Sequence, residues 1–111
     1  MMMSMARQPP FSLVFAPEVE AHLVEIDAKY HSLIRAKIEE QLMFQPGEET
    51  RNRKPLSRPV LPGADWKIRF GPDNRFRVFY RIEQDERRVR IAAVGVKVGN
   101  RLFIGGLEVG T

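Results

Sequence analysis

Lysine and arginine recur at alternate positions in two stretches, Asp65-Trp66-Lys67-Ile68-Arg69-Phe70 and Arg75-Phe76-Arg77-Val78-Phe79-Tyr80-Arg81-Ile82. Side chains on a strand alternate between its two faces, so Lys67 and Arg69 share one side of the first stretch. Arg75, Arg77 and Arg81 share one side of the second. The opposite sides are apolar, with Trp66, Ile68 and Phe70 on the first and Phe76, Val78, Tyr80 and Ile82 on the second. A sheet built this way keeps its core on one side and a field of cations on the other. The chemistry that suits such a face is anion binding, most simply of a phosphate backbone. A bland alternative stands beside it, because edge strands also carry Lys and Arg as protection against aggregation. The charge pattern alone does not separate the two.

The polarity of the chain is lopsided in the same sense. Residues 1–50 hold 4 Lys/Arg against 8 Asp/Glu, a net of −4, and residues 51–111 hold 14 against 6, a net of +8, which sum to the overall +4. With 111 residues, 43% hydrophobic and 29% charged, the composition is that of one folded domain with a real core. The absence of cysteine excludes disulfides, thiolate nucleophiles and thiolate metal sites, and suits a cytoplasmic protein. The apolar runs fall far short of the roughly 20 residues that span a bilayer, so no membrane partner is expected. Met1 to Arg7 has no apolar stretch of the signal-peptide kind. Residues 1–10 read as a flexible tail and residues 11–111 as a single domain.

No metal or small-molecule cofactor is expected. No glycine loop of a phosphate-cradling type occurs, and His22 and His31, in the helical half, read as surface or helix-end residues without converging ligands. The acids Glu18, Glu20, Glu25 and Asp27 read as a solvated helix face with Glu18 and Glu20 near its N-terminus. Trp66 shares the phase of Ile68 and Phe70, which favours core anchoring over base stacking.

The elements that must position the cations follow from periodicity. Phe11 to Phe15 reads as a short strand between Pro9-Pro10 and Pro17. Pro17 suits the first position of a helix, and Val19, Leu23, Ile26 and Tyr30 continue it at helical spacing. A second helix runs from about Ser32 to Phe44 with Ile34, Ile38 and Leu42 as its stripe, after a tight turn around Tyr30-His31. Val24 and Leu33 lie off the stripes, which predicts a small exposed patch for a partner. Residues 45–63, with Pro46, Gly47, Pro55, Pro59, Pro62 and Gly63, read as a long irregular, mobile connection. Its cations Arg51, Arg53, Lys54 and Arg58 are placed to add to the anion-binding surface. The turn Gly71-Pro72-Asp73-Asn74 joins the two cationic strands. Asp85-Glu86 marks a second hairpin, and Val89 to Val98 forms the last long strand, apolar in its middle as a strand covered on both faces would be. The result is an α+β domain: an N-terminal strand and an antiparallel helix pair packed on a small, mainly antiparallel four-stranded sheet.

Val94-Gly95-Val96-Lys97-Val98-Gly99-Asn100-Arg101-Leu102-Phe103, taken with Trp66-Lys67-Ile68-Arg69-Phe70, Asn74-Arg75-Phe76-Arg77-Val78-Phe79-Tyr80 and Lys54-Pro55-Leu56, resembles the RelE/ParE-type toxins of bacterial type II toxin–antitoxin modules. The resemblance spans about residues 11–103 and rests on the order and spacing of these segments together. It implies a cognate antitoxin as partner. RelE-like members are RNases that cut mRNA in the ribosomal A site, whereas ParE-like members inhibit DNA gyrase. The resemblance favours the first activity, a metal-independent endoribonuclease acting on ribosome and mRNA; the alternatives are a gyrase-directed or otherwise non-nucleolytic toxin and a plain basic RNA- or DNA-binding module.

Carried over residue by residue, the RNase resemblance marks Lys67, Arg69, Arg77 and Lys97 as catalytic and Phe103 as the late aromatic. The family lysine is here Arg69, the family arginine is Lys97 and the family tyrosine is Phe103. Arginine stays protonated, its pKa being above about 12, so Lys67 is the candidate base for an RNA 2′-hydroxyl. Crowding by Arg69 and Arg77 lowers the pKa of Lys67. Those two arginines would clamp the non-bridging phosphate oxygens, and Lys97 would be the acid. Arg51, Arg53, Lys54, Arg58, Arg75, Arg81, Arg101 and Phe103 are expected to bind RNA, Phe103 by stacking on a base.

Overall fold

Pro9 and Pro10 deliver the chain into β1 (Ser12–Phe15), which lies parallel to the first half of β5 (Arg88–Val98), pairing Ser12 with Arg88 and Phe15 with Ile91. The computed structural model describes residues 9–110. Of the expected tail, residues 1–8 lie outside the described residues, and the Pro9 carbonyl accepts a hydrogen bond from Arg87 Nε at 2.6 Å.

The helices are α1 (Glu18–Val24) and α2 (His31–Leu42). The first is shorter than its periodicity predicts, and side-chain chemistry explains why. The Asp27 carboxylate accepts from the Lys29 N–H at 3.0 Å and starts a single 3-10 turn, Ala28–Tyr30. His31 Nε2 contacts the Leu23 and Ile26 carbonyls at 2.8 and 2.9 Å. Carbonyls only accept, so the proton sits on Nε2 and is shared between two carbonyls at and just past the end of α1, of which that of Leu23 also accepts the Ile26 N–H at 2.9 Å. His31 is thus a helix-end residue, as its position suggested.

The sheet runs β2 (Arg53–Pro55), β3 (Trp66–Phe70), β4 (Phe76–Glu83), β5, β6 (Arg101–Ile104), β7 (Leu107–Val109), with every neighbouring pair in that order antiparallel. This is the expected α+β arrangement with three short strands added to the four. One of them, β2, pairs with β3, and the other two arise because β5 is longer than β1 can cover. Its far half, Gly95 to Val98, pairs with β6 instead, and β7 folds back on β6.

Between the helices and the sheet lies the main core. Ile34, Ile38 and Leu42 of α2 are buried as their spacing predicts, against Ile68, Phe70, Phe76, Val78 and Tyr80. The Tyr80 hydroxyl, fully buried, donates to the Pro46 carbonyl at 2.6 Å and ties down the start of the connection. Leu33 packs against this core, so the exposed patch expected with Val24 reduces to Val24 itself; Phe15 is exposed as well.

The opposite face of the sheet is not simply cationic. Phe79, Ala93, Leu102 and Ala64 form a second, smaller core, roofed by Leu56, Val60 and Leu61 of the connection. The segment expected to be irregular and mobile therefore contributes a strand and a lid of apolar contacts. A bulge in the β4–β5 register, where Phe79 faces Ala93 and Tyr80 faces Ile91, leaves Ala92 unpaired and beside this second core.

On the outer edge of β5, β1 covers Arg88 to Ile91 and β6 covers Gly95 to Val98, which leaves a gap. His22 fills it: its Nδ1 accepts the Val94 backbone N–H at 3.3 Å. Burial lowers the His22 pKa below its usual 6.5, against a smaller opposing pull from Glu18. A folded-state value below the unfolded one means that stability is complete above about pH 6.5 and is lost as pH falls through the folded value. The expected loss is about 1 kcal/mol, one hydrogen bond and its acceptor. Urea unfolding between pH 5 and 7.5 checks it: His22→Gln should flatten the decline, and an identical pH slope in the variant would exclude His22 as its source.

Candidate nucleic-acid interface

Register decides which cations meet. Lys54 of β2 lies directly opposite Lys67 of β3, and Arg69 of β3 directly opposite Arg77 of β4. All four share the face turned away from the helices, and Lys97 on β5 joins them by parity with Gly95, the partner of Arg77. Gly95 is required there: a Cβ would sit 2.9 Å from the Phe103 carbonyl oxygen and 3.0 Å from Ile104 Cγ1. Like charges directly opposite each other on a sheet are destabilising, and this sheet holds two such pairs side by side.

The cations surround a cleft of about 600 Å³ lined by Lys54, Arg58, Lys67, Arg77 and Lys97. Phe79 and Leu102 form its floor and residues 55–60 its outer wall. Elsewhere on the sheet arginines are neutralised, Arg81 by Asp65 at 3.2 Å and Arg90 by Glu83 at 3.1 Å. Lys54 reaches Glu49 at 3.5 Å, but among the described residues Arg58, Lys67, Arg69, Arg77 and Lys97 have no acidic partner. The two arginines of the strands are oriented by uncharged groups. Arg77 Nη1 donates to the Asn74 carbonyl, and Arg69 Nε to Asn52 Oδ1 at 3.1 Å.

Burial pushes the Lys67 ammonium below the usual lysine range, and repulsion from Arg77, Arg69, Lys97 and Lys54 pushes it further the same way. Desolvation is thus the largest single cause, ahead of each of the neighbouring charges. Arg77 is shifted downward as well, by burial and then by Arg69. A concave, cation-lined surface without a carboxylate can bind a phosphodiester, and Lys67, its pKa lowered, is the candidate proton acceptor beside it.

A family model for the ParE toxin of type II toxin–antitoxin systems, parDE, matches residues 13–97. The chain belongs to this toxin family. Among solved structures, the toxin–antitoxin complex RelBE2 from Mycobacterium tuberculosis matches with a TM-score of 0.65 and 23% identity, over 82% of this chain and 95% of that one. At that identity the likeness is one of fold. No curated protein sequence matches. Among the described residues, no helix of this ParE-family toxin is long and apolar enough to cross a membrane.

Several residues singled out in the sequence of the toxin lie elsewhere. Arg53 is buried on the helix side of β2, where its guanidinium donates to the Glu48 carbonyl and to Gln41 Oε1, both at 2.8 Å. It fastens the connection to α2 and is not available to RNA. Arg81 is engaged with Asp65. Phe103 pairs with Val96 and therefore faces the helices, and Arg101 lies over its ring and binds Glu108 at 2.8 Å. The place in the cleft belongs to Leu102, one residue earlier, and a one-residue step inverts the face. Arg51 offers its carbonyl to Arg69 Nη2 at 3.5 Å, and Arg75 stands at the neighbouring end of the sheet. Phe79, Leu102, Asn52 and Asn74 were not anticipated.

The like-charge pairs give a measurable expectation. Lys67→Gln should raise stability by about 0.5 kcal/mol at low salt, since it relieves Lys54 and both arginines. Thermal melts with and without inorganic phosphate check this. Phosphate should stabilise the wild type more than the variant, and a variant less stable than wild type would contradict the repulsion.

Proposed function

We propose that this toxin is a ribosome-dependent mRNA endonuclease held in check by a cognate antitoxin. The supporting observation is the two like-charge cross-strand pairs around half-buried Lys67, in which, among the described residues, Lys54 alone has an acidic partner, an arrangement that costs stability and is relieved by a bound phosphodiester. Neutral Lys67 takes the proton of the RNA 2′-hydroxyl, whose oxygen attacks the adjacent phosphorus. Arg77 and Arg69 hold the non-bridging oxygens as charge builds on them. Lys97 protonates the departing 5′-oxygen, leaving a 2′,3′-cyclic phosphate and a 5′-hydroxyl. No metal is needed in this scheme.

The antitoxin follows from the toxin–antitoxin family and from the structural relative, itself a toxin–antitoxin complex. Exposed Phe15 and Val24 on the helix side are apolar positions of the kind that partner segments cover.

A second reading, inhibition of DNA gyrase, is favoured by the family model itself and by Phe103, whose ring is turned away from Lys67. Purified toxin added to a translating extract, with mapping of mRNA 5′ ends, tests the first reading, and a gyrase supercoiling assay tests the second. Ribosome-dependent cuts without loss of supercoiling support the nuclease. Loss of supercoiling with intact mRNA reverses the assignment.

A further inference from the structure

Arg77 and Lys97 line a second cleft, of about 440 Å³, on the side away from Lys54 and Lys67. Its chemistry differs from that of the first. The first cleft is lined by five cations and no carboxylate, whereas the second adds Asp73, Asn74 and Arg75, which together offer both acceptors and donors. A cationic surface without a carboxylate suits phosphate oxygens, and one that sets a carboxylate among cations suits the edge of a base, which presents donors and acceptors side by side.

The second cleft is also built rigidly. Gly71 opens the turn at φ 87°, and a Cβ there would lie 2.5 Å from the Phe76 ring, so the turn is seated on the core. Asp73 and Asn74 then both occupy the left-handed region, at φ 56° and 51°, a conformation disfavoured outside glycine. The Lys97 N–H donates to the Arg75 carbonyl at 2.7 Å, and Arg77 Nη1 to the Asn74 carbonyl, which couples this turn to the two residues shared by the clefts. The Arg75 guanidinium is steadied by the Pro72 carbonyl at 3.2 Å and by the Tyr30 ring at 5.9 Å. It reaches Asp73 only at 3.9 Å, and the Asp73 side chain is 93% exposed, so its carboxylate remains open to a ligand.

We propose that the second cleft is a base-reading subsite, which receives the nucleobase next to the phosphate held by Arg77 and Lys97, with Asp73 as the residue that selects it. This rests on the nuclease reading above. The carboxylate accepts from the exocyclic amino groups of guanine, adenine and cytosine, whereas uracil has no amino group and offers only its ring N3–H, set between two carbonyl oxygens that repel a carboxylate. Uracil is therefore disfavoured at that position, by about tenfold if one such contact is lost.

Sequencing of mRNA 5′ ends from a translating extract treated with wild type or Asp73→Asn tests this. Wild type should show uracil depleted at one fixed position beside the cut. Asp73→Asn, which keeps size but exchanges one carboxylate oxygen for a donor amide, should lose that depletion among the cuts it makes. An unchanged base distribution in the variant, whether its cutting is full or reduced, overturns the subsite while leaving the nuclease intact. Uracil-neutral cutting by wild type does so as well. Absence of any cutting by wild type overturns the nuclease reading and the subsite with it.

Discussion

Arg77→Ala is expected to lower ribosome-dependent mRNA cleavage by about 10²–10³-fold, the usual consequence of removing one group aimed at charge that develops in a transition state. Arg77, with Lys97, lines both clefts, and its guanidinium is fixed by the Asn74 carbonyl rather than by an acid. It therefore keeps its whole charge for a ligand. The fold should survive the change, because Arg77 lies opposite Arg69 and its removal ends a repulsion. Circular dichroism and a thermal melt would establish that, and the extract assay would read the loss. A folded Arg77→Ala variant that cuts at the wild-type rate would move catalysis away from this face.

How much of this was legible in the chain depended on whether one strand or two decided the outcome. Ile34, Ile38 and Leu42 announce their burial by spacing on a single helix, and Lys67, Arg69 and Arg77 announce a common side by parity on single strands. What parity cannot show is the partner. That Lys54 stands opposite Lys67 depends on β2, whose residues Arg53-Lys54-Pro55 have no apolar face and acquire strand geometry only by pairing with β3. The same pairing explains Arg53. Next to Lys54 on a strand, it must face the other way, and there it meets Gln41 and Glu48.

Phe103 could have been placed from the sequence. A two-residue turn at Gly99-Asn100 sets Val98 opposite Arg101, and counting back sets Val96 opposite Phe103, on the helix side. Carrying the family aromatic over by motif ignored that count. The phase of Phe79, shared with Arg77, was equally readable, but its role was not. A large apolar residue amid cations makes sense only once Leu56, Val60 and Leu61 are seen to cover it.

That cover yields the largest expected loss of stability. Phe79 is 2% exposed at the centre of the second core, and Phe79→Ala should cost about 3–5 kcal/mol, a large part of the roughly 5–15 kcal/mol that holds a domain together. The damage should be directional. The main core beneath the helices shares no buried residue with the second one, so the first consequence is release of residues 54–64, the wall of the cationic cleft. Hydrogen exchange should show protection lost there before it is lost in α2. Phe79→Leu, a smaller change that costs about 1 kcal/mol, keeps the chain folded and isolates the effect on the cleft. If the connection is held by this core, the milder variant should bind RNA more weakly and exchange faster across residues 54–64, with α2 unaffected. A loss below about 1 kcal/mol for Phe79→Ala, or uniform exchange changes across the whole chain, would mean that the wall is held by β2 and Tyr80 alone.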